Sequence, residues 1–262
     1  MVSARNLIVP LTVSLVSCAA FAQETKVALS SKPAAASPAV ADIPNPPLTA
    51  ERRGDILMAR KMYREAIQVY SEAPQDSAVV WNKVGIAYHQ MMQIDAAMKR
   101  YQHSIRLDPK YPEAINNLGT IYYAQKRYGK ATQYYKRALK LAPDSASIYS
   151  NLGTAYFARK KYKEAAVTYE TALKLDPEIF EHRSTYGVLL QESSVEERAK
   201  FHFYLARTYA KAGQNERALQ YVRKALEEGF SERKKLLLDP EFAALRDMPE
   251  FKELLAREPR VL

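Results

Sequence analysis

Residues 115–143, INNLGTIYYAQKRYGKATQYYKRALKLAP, alternate small, apolar and polar positions with a helical period. Ile115, Leu118, Gly119 and Tyr122 fall at i, i+3, i+4 and i+7, one face of an amphipathic helix. Lys126-Arg127-Tyr128-Gly129 interrupts that face, and Ala131, Tyr134, Tyr135, Ala138 and Leu139 begin a second one. Pro143 stops it, because proline cannot supply the next helical N–H. The stretch therefore predicts two helices joined by a short turn, which makes them antiparallel neighbours. Gly119 inside the first helix costs about 1 kcal/mol against alanine. Set opposite Ala131, it predicts a close crossing with the axes about 8 Å apart.

The pattern recurs. Gly85, Gly119, Gly153 and Gly187 are 34 residues apart, and Tyr88, Tyr122 and Tyr156 keep the same step. So do Ala97, Ala131 and Ala165, then Tyr101, Tyr135 and Tyr169, and Pro109, Pro143 and Pro177. A fixed period of this length marks an array of stacked supersecondary units. Upstream, Gly54, Leu57, Tyr63, Ala66, Tyr70 and Ala73 carry the same spacing, but Pro74 cuts the second helix short. Downstream, Gly187, Leu190, Ala199 and Phe203 stay in phase, so a fifth unit is expected from about Ile179. Leu205, Ala206, Tyr209, Ala218 and Ala225 form a second set, offset by 19 residues. A single helix near 195–212, opened by Ser194 and Glu197 as a capping box, must serve both sets before a partner helix near 215–228. Gly213 and Gly229 supply C-terminal stops.

The motifs W-x-x-V-G-x-x-Y at 81–88, NLG-x-x-Y at 117–122 and 151–156, and A-x-x-x-Y-x-x-A-L-K-L-x-P at 131–143 and 165–177 resemble the tetratricopeptide repeat family. The match is strongest over 78–179, within an array of about five to six units spanning 50–228. The resemblance implies an all-α fold, a right-handed α-solenoid of antiparallel helix pairs. Residues 229–262 resemble the ending of bacterial arrays of this kind, a short helical cap over the last apolar face. Pro240 and Pro249 stand where a first helical turn tolerates them.

The N-terminus has a different character. Arg5, an apolar run from Leu7 to Val16 and a small-residue end read as a secretory signal over 1–22. Ala20-Phe21-Ala22 before Gln23 fits ordinary cleavage. Leu15-Val16-Ser17-Cys18 fits a lipobox, with lipidation at Cys18 and membrane anchoring. The expected location is the periplasm or envelope. Residues 23–49, rich in Ala, Ser and Pro and without periodicity, read as a linker. Cys18 is the single cysteine, so the mature body has neither a disulfide nor a cysteine-bound metal.

The net charge is +10, and some of it is periodic: Arg106, Lys140 and Lys174, and the pairs Lys126-Arg127 and Lys160-Lys161, form basic rows. Export and the lack of a nucleic-acid motif argue against nucleic acid. An acidic partner or anionic headgroups remain compatible with the rows, as does a merely solvated helix face. The four histidines have no metal-ligand spacing, and no phosphate loop or nucleophile motif occurs. No enzyme activity, cofactor or metal is expected. Arg53-Gly54-Asp55 spells an adhesion tripeptide, but Gly54 already has a repeat-packing role.

What remains is protein binding. The resemblance implies that the first helices of successive units line a concave groove. Residues just off the core face would point into it: Asn82, Ile86 and His89; Asn116, Thr120 and Tyr123; Ser150, Thr154 and Phe157. Asn117 and Asn151, each before Leu-Gly, resemble an asparagine ladder that bonds an extended peptide backbone through its paired donor and acceptor. Lys83 breaks the ladder, and the lysine–asparagine pattern of carboxylate-clamping arrays is not reproduced. The alternative is that these asparagines bridge adjacent helices. Two functions follow: a scaffold holding a peptide or protein segment in the groove, or an envelope assembly component meeting partners through its basic surface.

Overall fold

The computed structural model describes residues 47–181 and 194–256. All regular structure among them is helical, in consecutive antiparallel pairs: α1 (Ala50–Ala59) with α2 (Tyr63–Tyr70), α3 (Ala78–Gln90) with α4 (Ile94–Leu107), α5 (Pro112–Ala124) with α6 (Tyr128–Leu139), and α7 (Ala146–Ala158) with α8 (Tyr162–Leu175). Each first helix also packs on the second helix of the preceding pair, and α5 touches both α3 and α7. The architecture is an α-solenoid. The stretch from 182 to 193, with Gly187 and Leu190 of the expected fifth unit, lies outside the described residues.

The repeat glycine is a slot for a ring. A Cβ on Gly119 would stand 2.7 Å from Cε1 and 2.9 Å from Cδ1 of Tyr135; on Gly85 it would stand 2.6 Å from Cε1 of Tyr101. Gly54 meets Tyr70 and Gly153 meets Tyr169 in the same way. The partner always lies sixteen residues on, and all four rings are fully buried. The sequence expectation was a glycine facing Ala131 to bring backbones together. Instead the glycine makes room for the tyrosine of the second helix. The ring is held at its far end: Tyr135 and Tyr169 donate their hydroxyls to Thr120 (3.3 Å) and Thr154 (3.2 Å), and Tyr70 donates to Asp55 (2.7 Å).

The turns inside the pairs share one conformation. Lys61, Met92, Lys126 and Lys160 have φ between 58° and 61°, and Gly213 takes the same place at 74°. Each closes its helix with a paired bond pattern: the Lys126 N–H donates to the Tyr123 carbonyl, and the Arg127 N–H to the Tyr122 carbonyl.

The C-terminal end departs from the period. Ser194 caps α9 (Val195–Lys211), its Oγ accepting from the Glu197 N–H at 3.2 Å. Helix α9 pairs with α10 (Asn215–Glu227) as the first helix of a terminal unit. Ala206 and Val222, sixteen residues apart and both fully buried, stand at the places that glycine and tyrosine hold in the other pairs. Phe203 turns away into the cap, stacking on Phe230 at 4.6 Å and meeting Phe242 edge-on at 5.8 Å. The cap itself is α11 (Arg233–Leu238), the 3-10 turn η1 (Pro240–Leu245) and α12 (Pro249–Ala256), centred on Leu236, Phe242, Leu245 and Phe251. Asp239 accepts from the Glu241 N–H to start η1 and pairs with Arg207 of α9 at 3.0 Å.

Candidate protein-binding face

Helices α1, α3, α5 and α7 stand side by side, and a line of polar side chains joins them. Asn117 of α5 donates from Nδ2 to Oδ1 of Asn82 on α3 at 2.9 Å. Asn151 of α7 donates to Oδ1 of Asn116 on α5 at 3.0 Å. Asn116 also donates to its neighbour Asn117 at 3.3 Å, and Asn82 reaches the Tyr111 hydroxyl at 3.5 Å. All four asparagines are buried. Their amides therefore satisfy one another between units, as buried polar groups must. Of the two readings left open by the sequence, this is the bridging one: the asparagines hold adjacent helices together and are not turned out to a peptide backbone. Thr120 and Thr154 are also taken up inside, accepting from Tyr135 and Tyr169.

Lys83, the apparent break, is the rung below. Its ammonium donates to Glu51 and Asp55 of α1, both at 2.7 Å. Burial works to lower the Lys83 pKa, but the bonds and charges of the two carboxylates outweigh it and leave it raised.

Beside Lys83 lies a cleft of about 510 Å³ between α1 and α3. Met58, Ile86 and the Tyr63 and Tyr70 rings make its apolar part; Lys61, Gln90 and the Lys83–Asp55 pair stand at its polar edge. Of the residues expected to line a groove, Ile86 does so. His89, one residue from Gln90, is half-buried near the Tyr101 ring, and burial holds its pKa below the ordinary value.

At the other end the face is covered. Tyr123 is half-buried against Tyr128, with ring centres 5.0 Å apart, and burial, followed by Tyr128 and Glu197, pushes its phenol up. Phe157 is buried: Phe201 and Tyr204 of α9 meet it edge-on at 5.5 and 5.9 Å. Tyr204 stacks in turn on Tyr162 at 4.9 Å. The wall expected from Phe157 is thus occupied by the chain's own α9. Only the doubled pattern of that helix hinted at this. Ser150 stays half-exposed.

Cys18, the cleavage site after Ala22 and nearly all of the linker lie outside the described residues. Among the described residues no cluster of His, Cys, Asp or Glu could hold a metal, and no helix is long and apolar enough to cross a membrane.

Comparison with known families matches this geometry to one repeat class. Two models described as "Tetratricopeptide repeat" match residues 111–178 and 150–231, and one described as "TPR repeat" matches 85–126. No curated protein matches. Among solved structures, PilF of Pseudomonas aeruginosa is similar at 20% identity and TM-score 0.52, covering 78% of this chain and 86% of its own. MamA of Desulfovibrio magneticus RS-1 gives 19% and 0.47 over 70% of this chain and 94% of its own. The first TPR of Spaghetti (RPAP3), bound to an HSP90 peptide, gives 30% and 0.39 over 41% of this chain and 86% of its own.

Proposed function

We propose, from the premise that the chain belongs to the tetratricopeptide repeat family of protein-binding scaffolds, that it holds a short segment of another protein in the cleft between α1 and α3. The cleft carries this reading: it combines an apolar floor with a few polar groups at its edge, the usual make-up of a binding pocket. The asparagines are committed between units and Phe157 is covered, so the N-terminal half of the inner face is the part open to a ligand. Met58 and Ile86 receive apolar side chains, while Lys61 and Gln90 meet the segment's polar groups; Lys83 is already held by Glu51 and Asp55. The N-terminal signal pattern supports work outside the cytoplasm, with the array either released after Ala22 or held to a membrane through lipidated Cys18.

The test is capture of the partner by crosslinking in the native host, compared between two variants that keep the helical circular-dichroism signal. Met58→Glu, which puts a charge on the apolar floor, is expected to abolish capture, and capture by the native chain is expected to survive high salt. Lys140→Ala with Lys174→Ala, in the basic rows, is expected to leave it intact. The reverse outcome would replace the cleft with the basic surface as the contact. Terminal mass analysis of the exported chain reads the processing: a start at Gln23 or a lipidated start at Cys18 supports export, and retention of Met1 opposes it.

A further inference from the structure

Helix α3 has a second lined hollow on its opposite side. Lys83, Ile86 and Gln90 face the cleft, whereas Trp81, Val84 and Tyr88 face a crevice of about 140 Å³ closed by Ile67 and Ser71 of the α2 end and Arg100 of α4. It lies at the end of the clipped helix of the first unit: α2 has 8 residues, against 14, 12 and 14 in α4, α6 and α8.

Arg100 gives this hollow its chemistry. Its guanidinium carbon lies 5.1 Å from the Trp81 ring centre and 5.7 Å from that of Tyr88. Two aromatic faces thus fix the fork and shield it from water, which strengthens any charge it meets. Its Nε is buried with no acceptor, and no carboxylate pairs with it among the described residues. Next to it, His103 meets Trp81 edge-on at 4.4 Å and is bonded to Arg106. Burial first, then the charges of Arg106 and Arg100, hold His103 below its ordinary pKa.

We propose that this crevice docks a protein segment presenting one leucine- or phenylalanine-sized side chain followed closely by a carboxylate. The apolar side chain fills the hollow against Ile67, Val84 and Tyr88. The carboxylate meets the guanidinium at its outer N–H groups and supplies the counter-charge that no carboxylate among the described residues provides. The hollow takes one large side chain, and the uncompensated positive charge selects an acidic neighbour over a neutral or basic one. Trp81 and Lys83 lie on opposite faces of α3, and Tyr70 is the one lining residue the crevice shares with the cleft, so changes at Arg100 or Ser71 leave the cleft's own lining in place.

Trp81 is the only tryptophan, so its fluorescence reports this site directly. The full chain is titrated with N-acetyl-leucyl-glutamate amide, with the leucyl-glutamine and alanyl-glutamate analogues as controls. A saturable change in roughly the millimolar range is expected for the first probe. Losing the charge is expected to weaken binding about tenfold, and losing the leucine about as much. Arg100→Gln is expected to bind the glutamate and glutamine probes equally. Ser71→Phe, at an exposed position on the rim, is expected to block binding when followed by calorimetry. Equal midpoints for the glutamate and glutamine probes on the native chain would overturn the proposal. So would discrimination that persists in Arg100→Gln, the absence of a saturable signal, or an equal response to acetate alone, which would mark a bare anion site.

Discussion

Gly119→Ala sets two effects of known size against each other. In a free helix the change gains about 1 kcal/mol. Here the new Cβ would lie 2.7 and 2.9 Å from two carbons of Tyr135, and 3.3 Å from Cβ of Tyr134. The ring cannot swing aside: it is fully buried, and its hydroxyl is bonded to Thr120, the residue after Gly119 in α5. Overpacking of this kind costs roughly 1–3 kcal/mol, and a pinned ring puts it at the upper end. The net effect is a loss of about 2 kcal/mol, a fall in Tm of roughly 4–8 °C for a domain this size. In the terminal pair the corresponding places carry Ala206 and Val222, a larger helix residue with a smaller partner position. Tyr135→Val alone should lose about 3 kcal/mol through the vacated volume. Gly119→Ala with Tyr135→Val should cost less than the two together, by about 2 kcal/mol of coupling. Urea unfolding followed by circular dichroism reads all four corners of the cycle. A Gly119→Ala chain as stable as the native one, or strict additivity, would refute the slot.

Asn117→Ala strands the Oδ1 of Asn82 and should cost roughly 1–3 kcal/mol of stability; denaturant midpoints read this, while partner capture should be unchanged. Lys126→Gly and Lys160→Gly relieve left-handed lysines at φ 59° and 58°; each should raise stability by about 0.5–1 kcal/mol in the same unfolding assay, the relief exceeding the entropy glycine adds to the unfolded chain. Burial holds His89 below its ordinary pKa, so the unfolded chain binds the proton first as pH falls. The stability due to its neutral form is complete above about pH 6.5 and is lost below it, and His89→Gln should flatten that part of a pH series of unfolding midpoints.

Helix pairs, caps and the solenoid were legible because each rests on local pattern. Gly119 and Tyr122 carry the period, and Ser194 and Gly213 punctuate it. The ring partner of the glycine was also on the page, sixteen residues on, but periodicity alone does not tell Ala131 from Tyr135 as the residue that fills the space. The left-handed turns escaped notice because Lys126 and Lys160 stand where glycine would have signalled them. Sequence leaves the asparagines open between groove and bridge for a geometric reason. A single helix wheel puts Asn82 and Asn116 off the core, yet in a stacked array the flank of one first helix is covered by the next. Phe157 was lost to a tertiary event: α9 crosses it with Phe201 and Tyr204, and that depends on a chain segment outside the repeat.

The polar rungs also have consequences for how such a gene could be rearranged. Each rung donates backwards: Lys83 to the acids of the unit before it, Asn117 to Asn82, Asn151 to Asn116. A unit carrying lysine therefore needs an acidic predecessor, and one carrying asparagine needs an amide. Duplicating the second unit into third place would set a lysine against Asn82, where no carboxylate answers it; duplicating the third would keep every rung matched, whereas duplicating the fourth would set an asparagine against the Ser150 hydroxyl in place of an amide. The apolar helix faces would accept any neighbour, but these few side chains act as addresses, and recombination that ignored them would yield arrays that collapse without settling into one order.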